Sequence, residues 1–134
     1  MDDKRITIER WLVKADRDLQ TARTMLRADP APTDVVCFHS HQCAEKCLKA
    51  FLVAVDQDFP KTHDLQRLLQ FCASHDEQFA ELSECAIALT DYGVETRYVD
   101  EWRDIPSEEA DEAVARAVQV RGFVLGKLAI EDGD

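Results

Sequence analysis

The sequence has 134 residues, of which 46% are hydrophobic and 32% charged, and its formal net charge is −11. This length suits one domain with a sizeable core, and no apolar run approaches the roughly 18 residues of a membrane span. The charged N-terminus is not followed by the apolar segment of a secretory signal. Glycine and proline are few, at four each, and alternating β-branched residues are nearly absent. We therefore expect a single all-α domain over residues 1–134, without a membrane partner.

The cysteines indicate a reducing compartment. Their number is odd, none forms a Cys-x-x-Cys pair, and each falls within a helical pattern: Cys37, Cys43, Cys47, Cys72 and Cys85. Reduced thiols that pack as small apolar residues fit this distribution better than disulfides. The sequence therefore predicts a cytoplasmic protein whose cysteines belong to the core.

The negative charge is concentrated in one segment. Residues 76–112 hold thirteen acidic residues and only two basic ones, Arg97 and Arg103. A protein with this balance is a poor non-specific binder of nucleic acid, so DNA binding is not expected. The segment is interpreted either as a solvated face that keeps the protein soluble or as a docking surface for a basic partner.

Periodic apolar residues predict the first two helices. Helix one runs from about Thr7 to Arg27 with an apolar stripe at helical spacing, and the prolines in 29–32 end it. Helix two follows and runs to about Val55. A turn over 56–61 separates it from helix three, for which Thr62 is the expected N-cap.

The second half of the chain predicts two further helices and a loop. Ser74 and Glu77 match a capping box, so helix four is expected to begin near His75 and to fade near Gly93. Residues 94–106 then form a loop, and the last helix follows Ser107. The predicted architecture is an up-down four-helix bundle with an additional short helix.

Helix two carries a polar band on an otherwise apolar surface. His39, Gln42, Lys46 and Lys49 share an arc of about 80° at 100° per residue. Lysines, a histidine and an amide on one face suit a phosphate or a nucleotide. The alternative is a solvated ridge on which Glu45 and Lys49 form an i,i+4 pair.

Two other segments are predicted to reach this band. Lys61 and His63 lie in a turn at a helix N-terminus, which favours anions, unless Asp64 uses the same backbone groups. Arg97 and Tyr98 lie in the predicted loop. Arg97 could clamp an anion, or it could pair with a neighbouring acid while Tyr98 seals the core. His41, at the edge of the apolar arc, is expected to be a hydrogen-bonded core histidine.

Three motifs in this order resemble a known family. Helix two has the pattern H-x-x-Q-x-x-E-K-x-L-K-A, the turn before helix three reads K-T-H-D-L, and the loop contains R-Y-V-D where the family usually has R-Y-P-D. The residues concerned are His39, Gln42, Glu45, Lys46, Leu48, Lys49, Ala50, 61–65 and 97–100. Together they are similar to the HEPN domain family, named for higher eukaryotes and prokaryotes, and the resemblance covers most of the chain.

The resemblance implies an up-down helical bundle that dimerises. Many family members are encoded beside a minimal nucleotidyltransferase, and some are toxins of toxin–antitoxin pairs that cut RNA. The RNA-cutting branches carry an arginine followed, after four to six residues, by a histidine. No arginine here has a histidine at that distance, because the nearest pair, Arg67 and His75, is separated by seven residues. The standard RNase motif is therefore not recognisable.

The resemblance and the residues together predict a homodimeric nucleotide- or partner-binding module that acts beside a nucleotidyltransferase and is not expected to be an enzyme. Its expected ligand-binding residues are His39, Gln42, Lys46, Lys49, Lys61, His63, Arg97 and Tyr98. A nucleotide or RNA is the candidate ligand, and no cofactor is expected. No metal is expected either, because His39, Cys43 and Cys47 share a face but lack a fourth ligand.

Two alternatives remain open at this point. The first is a ribonuclease toxin with a non-standard site built from His39, Lys46, His63, Arg97 and Tyr98. The second is a structural adaptor that docks a basic partner through the acidic segment 76–112. RNA cleavage distinguishes the first from a binding module, and salt-sensitive binding without a nucleotide effect distinguishes the second.

Overall fold

The computed structural model describes residues 3–93 and 103–129. Within these ranges the chain forms α-helices and one 3₁₀-helix, and it has no strand there. The helices are α1 (Asp3–Leu26), α2 (Thr33–Ala54), α3 (Leu65–His75), the 3₁₀-helix (Glu77–Leu82), α4 (Ser83–Thr90) and α5 (Ser107–Lys127). The predicted all-α bundle with an additional short helix is confirmed.

Helix α2 lies at the centre of the bundle. It packs most extensively against α1, next against α5, and to a smaller extent against α3 and α4. Fourteen of its 22 residues are buried. Cys43, Ala44, Cys47 and Ala50 are almost fully buried, and such small side chains let neighbouring helices approach closely. The polar side chains on the buried faces of α2 are therefore held within a packed interior.

All five cysteines are free and buried, as the sequence predicted. Burial raises the pKa of Cys37 to about 11 and that of Cys72 to about 12. Thiols with a raised pKa hold little thiolate at neutral pH, so these residues serve packing rather than reactivity.

Two predicted helix caps were wrong. Ser74 lies inside α3, where its Oγ donates to the Phe71 carbonyl at 2.7 Å, and Asp76 caps the following 3₁₀-helix instead. Similarly, Asp64 rather than Thr62 caps α3, accepting from the Arg67 backbone N–H at 3.1 Å. In both places an aspartate two residues later took the cap, because an ionised carboxylate is a stronger acceptor at a positive helix end than a hydroxyl.

No helix in the two described ranges has the length and hydropathy that a membrane crossing requires.

Candidate functional site

Two carboxylates organise the polar side chains of α2, and the first of them is Asp18 of α1. Its Oδ1 accepts from His39 Nδ1 at 2.8 Å, and its Oδ2 accepts from Lys46 Nζ at 2.5 Å. These three residues form the Asp18 cluster. Asp18 is buried, but the side chains of His39 and Lys46 are partly exposed, so water still reaches both of its partners.

The second carboxylate is Glu45 of α2, which lies deeper in the bundle. Its Oε1 accepts from His63 Nδ1 at 2.7 Å, and its Oε2 accepts from Lys49 Nζ at 3.0 Å. His41 Nε2 lies 3.4 Å from the same Oε1. Glu45, His41, His63 and Lys49 form the Glu45 cluster. The Glu45 side chain is 3% exposed and that of His63 is 68% exposed, so the cluster runs from the core to the surface.

The contacts of Glu45 keep it ionised. Burial alone would raise the pKa of Glu45, because a charged carboxylate loses its water. The nearby His41 ring, the His63 hydrogen bond and the Lys49 ammonium act in the opposite direction and lower the pKa to about 2. The cluster therefore holds a buried negative charge throughout the neutral range.

His41 is fully buried and hydrogen-bonded to the backbone, as predicted. Its Nδ1 donates to the Leu89 carbonyl of α4 at 2.8 Å. A carbonyl only accepts, so Nδ1 must carry a proton. The other ring nitrogen, Nε2, has no hydrogen-bond partner among the described residues, although Glu45 Oε1 lies near it. A Cβ added at Gly93 would lie 2.9 Å from this nitrogen, so the backbone also packs tightly against the ring.

Aromatic rings hold the Lys49 ammonium in the interior. Nζ lies 5.4 Å from the Trp11 ring centroid and 5.9 Å from that of Phe59. The two rings contact each other edge to face, with centroids 6.5 Å apart. A cation over aromatic faces is stabilised without water, and this explains how α1 and the turn after α2 accommodate a buried lysine.

The structure divides the predicted ligand-binding residues between the two clusters. His39 and Lys46 belong to the Asp18 cluster, and Lys49 and His63 belong to the Glu45 cluster. Gln42 is buried and Lys61 is exposed. Arg97 and Tyr98 lie outside the described residues. The Glu45–Lys49 pair exists, but it is buried rather than part of a solvated ridge.

Sequence reasoning missed the role of Asp18. The residue follows Ala15 by three positions and precedes Ala22 by four, and all three are buried on the same face of α1. An aspartate within the apolar face of an amphipathic helix indicates a partner on the facing helix. That signal was available in the sequence and would have placed a carboxylate opposite His39 and Lys46.

A groove between α1 and α5 was also not predicted. Its volume is about 400 Å³, and its basic lining residues are Arg23, Arg27 and Arg121. Arg121 Nε donates to Asp16 Oδ1 at 2.7 Å, while the side chains of Arg23 and Arg27 are exposed. The groove is therefore a locally basic concavity on an acidic protein.

A further cluster joins Tyr92 and Arg103, which flank segment 94–102, to Glu109 of α5. Glu109 accepts from the Tyr92 hydroxyl and from both terminal nitrogens of Arg103, at 3.0 and 2.5 Å for the latter. Burial and the neighbouring carboxylate raise the pKa of Tyr92, and the Arg103 guanidinium holds the pKa of Glu109 below its usual value. This cluster fixes Tyr92 and Arg103 in place.

Comparison with known proteins shows the family to which this chain belongs. The family model described as the HEPN domain matches residues 8–128, so the chain belongs to the HEPN domain family. The search of curated proteins gives no match.

Two crystal structures are similar over 90% of the chain, each with a TM-score of 0.71. One is ST0689, an archaeal HEPN homologue, with 27% identity over 96% of its length. The other is TT1696 from Thermus thermophilus, with 29% identity over 97% of its length.

Proposed function

We propose that this HEPN-family protein is a non-enzymatic binding module that acts in the cytoplasm as a homodimer, beside a minimal nucleotidyltransferase in a toxin–antitoxin-like pair. The observation that supports it best is that one ring nitrogen of each of the four histidines is engaged within the fold. His39 contacts Asp18, His41 contacts Leu89, His63 contacts Glu45 and His75 contacts Gln57. A metal-independent nuclease needs a histidine that is available to the reacting hydroxyl as a general base.

The first experiment incubates purified protein with total RNA, with His39→Ala as the comparison. Because the sequence lacks the arginine–histidine spacing of the RNA-cutting branches, we expect intact RNA with both proteins. Cleavage by the wild type that disappears in His39→Ala would establish a ribonuclease and overturn the proposal. If both proteins cleave equally, the assay is repeated after purification under denaturing conditions and refolding. Cleavage that then disappears came from a contaminating nuclease, and cleavage that persists also overturns the proposal.

The partner is tested by co-expression with a minimal nucleotidyltransferase. We expect the two proteins to purify together, and size-exclusion chromatography with light scattering then gives the number of copies of each.

The alternative in which the acidic segment docks a basic partner is tested by reversing the exposed Glu77, Glu81 and Glu84 to lysine. Reversal of the exposed Asp29, Asp34 and Asp58, at equal charge, is the control.

A nucleotide is a second candidate ligand, and the α1–α5 groove favours it. Three arginines line this groove of about 400 Å³. They suit the phosphates of a nucleotide, because one guanidinium group can donate two parallel hydrogen bonds to phosphate oxygens. We expect ATP, GTP or a monophosphate to raise the thermal midpoint of the wild type. The rise should vanish in the double variant Arg23→Ala, Arg27→Ala and persist in Arg10→Ala, Lys14→Ala, which removes two charges outside the groove lining. No rise with any nucleotide would exclude this ligand class.

A further inference from the structure

We propose that the Glu45 cluster is a binding site for one divalent transition-metal ion of the zinc type, held by His41 Nε2, Glu45 Oε1 and His63 Nδ1. Each residue offers one ligand atom, and these atoms all lie within 4.8 Å of one another. This site goes beyond the binding module proposed above and does not depend on it. Local sequence spacing carries no sign of it, because His63 lies in a different segment from the other two ligands.

The spacing fits a tetrahedral ion after a small adjustment. Zinc bonds of about 2.0–2.1 Å place neighbouring ligand atoms about 3.3 Å apart. His41 Nε2 and Glu45 Oε1 are 3.4 Å apart already. His63 Nδ1 lies closer to Oε1, at 2.7 Å, because it donates a hydrogen bond there. His63 Nδ1 and His41 Nε2 lie within 4.8 Å of each other and must also come to about 3.3 Å. The exposed His63 side chain can turn away from Oε1 and towards Nε2 without disturbing the core.

His41 has the surroundings of a metal ligand. A ligating histidine usually donates its other ring N–H to a carbonyl or carboxylate, which fixes the tautomer and aims the free nitrogen. The Leu89 carbonyl performs this role at Nδ1, at 2.8 Å. Nε2 is buried, lacks a hydrogen-bond partner among the described residues and lies 3.4 Å from Glu45 Oε1. A buried nitrogen of this kind needs a proton or a cation between itself and the carboxylate.

The proton balance of metal binding is simple. In the metal-free form His63 Nδ1 carries the proton that it shares with Glu45. When Nδ1 binds the ion, that proton is released to solvent, and His63 binds as the neutral tautomer whose single proton is on Nε2. Where Nε2 carried no proton before, it takes one up from solvent, so the ring stays neutral. His41 retains its Nδ1 proton on Leu89, and any proton on Nε2 is released to solvent. Two imidazoles and a carboxylate favour zinc, cobalt or nickel over magnesium and calcium, which prefer all-oxygen sites.

The exposure of His63 gives the ion access to water. Three protein ligands leave a fourth position open, as in zinc sites that bind an exchangeable water. Lys49 opposes the ion, because its ammonium lies on the second oxygen of the same carboxylate. Removing that charge in Lys49→Met should therefore tighten Zn²⁺ binding by about tenfold. Lys46→Met, which removes a lysine from the Asp18 cluster, is the matched control and should leave the affinity unchanged.

The deciding experiment titrates chelator-treated protein with Zn²⁺ by calorimetry. We expect one equivalent to bind to the wild type and about 100-fold weaker binding by His63→Ala. Loss of a residue that only hydrogen-bonds to a metal ligand already lowers metal affinity by about 10- to 100-fold, and His63 is itself a ligand. His39→Ala removes a histidine of α2 that belongs to the Asp18 cluster, so its affinity should equal that of the wild type. His63 is exposed, and His63→Ala should therefore fold normally by circular dichroism.

Co²⁺ replaces Zn²⁺ in a second measurement that identifies the ligand type. Nitrogen and oxygen ligation gives visible bands without the sulfur charge-transfer absorption that one of the five cysteines would produce. The proposal is overturned if the wild type binds no Zn²⁺, if His63→Ala binds it as tightly as the wild type, or if the Co²⁺ spectrum indicates thiolate ligands. The RNA and partner experiments are performed on chelator-treated protein, so their outcome is independent of this one.

Discussion

The Asp18 cluster and the Glu45 cluster contain the same chemical groups in different surroundings. Each places one carboxylate between a lysine and a histidine, and α2 contributes to both. The Asp18 cluster bridges α1 and α2 at a partly hydrated surface. The Glu45 cluster lies beneath Trp11 and Phe59, with its carboxylate and lysine each less than 10% exposed.

This difference in burial determines what each cluster does. In the Asp18 cluster the carboxylate is buried but water reaches His39 and Lys46, so water partly replaces a lost partner and the contacts add modestly to stability. In the Glu45 cluster a lost partner leaves a charge that water reaches poorly, and Nε2 of His41 already lacks a hydrogen bond within the described part of the chain. The buried cluster is therefore both the more costly to disturb and the one that can accept a further ligand.

The largest expected effect comes from removing the buried charge. Glu45→Gln should lower the free energy of unfolding by about 3 kcal/mol, because it leaves the buried Lys49 ammonium without its carboxylate. Asp18→Asn, the matched change in the other cluster, should cost about 1 kcal/mol. Urea denaturation of chelator-treated proteins at neutral pH measures both, and equal losses would contradict the comparison.

The pH dependence of that difference is the next test. The ordinary pKa of the glutamate, 4.5, falls to about 2 in the folded protein, so its ionised form adds stability above about pH 4.5. This contribution, about 3 kcal/mol by linkage, is lost as the pH falls towards 2. The stability gap between the wild type and Glu45→Gln should therefore shrink over that range. A gap that stays constant as the pH falls through it would be inconsistent with the lowered pKa.

A smaller effect is expected at Gly93, which packs on the His41 ring. Gly93→Ala would place Cβ 2.9 Å from Cε1 and Nε2 of a buried ring that Leu89 holds in place. We expect a loss of about 2 kcal/mol, as for other overpacked cores. Gly122→Ala in α5 is the control, because no atom lies within 4 Å of its added Cβ. The control should gain about 0.5–1 kcal/mol from helix propensity, and thermal unfolding shows whether the two signs differ.

The smallest effect on stability should come from the more exposed Asp18 cluster. Lys46→Met removes one partner of Asp18 but leaves His39 and water to bind the carboxylate. We expect a change in the free energy of unfolding of about 0.5 kcal/mol, within the range of partly exposed ion pairs. A loss as large as that of Glu45→Gln would show that the Asp18 cluster is as isolated from water as the buried one.

Much of the fold follows from the sequence, since apolar periodicity and the proline-rich turn mark the long helices and their order. The family could be inferred too, from the residues of helix two and the K-T-H-D-L turn. The same motifs named His39, Lys46, Lys49 and His63 as site residues. What they could not supply was the division of these residues between two different carboxylates.

The remaining features depend on contacts between distant segments. The backbone carbonyl of Leu89 fixes the His41 tautomer, and Trp11 of α1 shelters Lys49; neither contact has a signature in local spacing. The groove between α1 and α5 likewise depends on how two helices meet. The cap errors had a local cause, because serine and threonine matched the cap pattern while the helices begin after Asp64 and Asp76, whose carboxylates accept from the backbone N–H groups of Arg67 and Gln78.

The most direct test of the difference between the two clusters is a Zn²⁺ titration followed by NMR of the histidine ring nitrogens. Our account predicts that one equivalent shifts the signals of His41 and His63, because both lie in the Glu45 cluster. The signals of His39 and His75 should stay unchanged, since their partners are Asp18 and Gln57. Unchanged signals of His41 and His63, or shifts confined to His39 and His75, would contradict it.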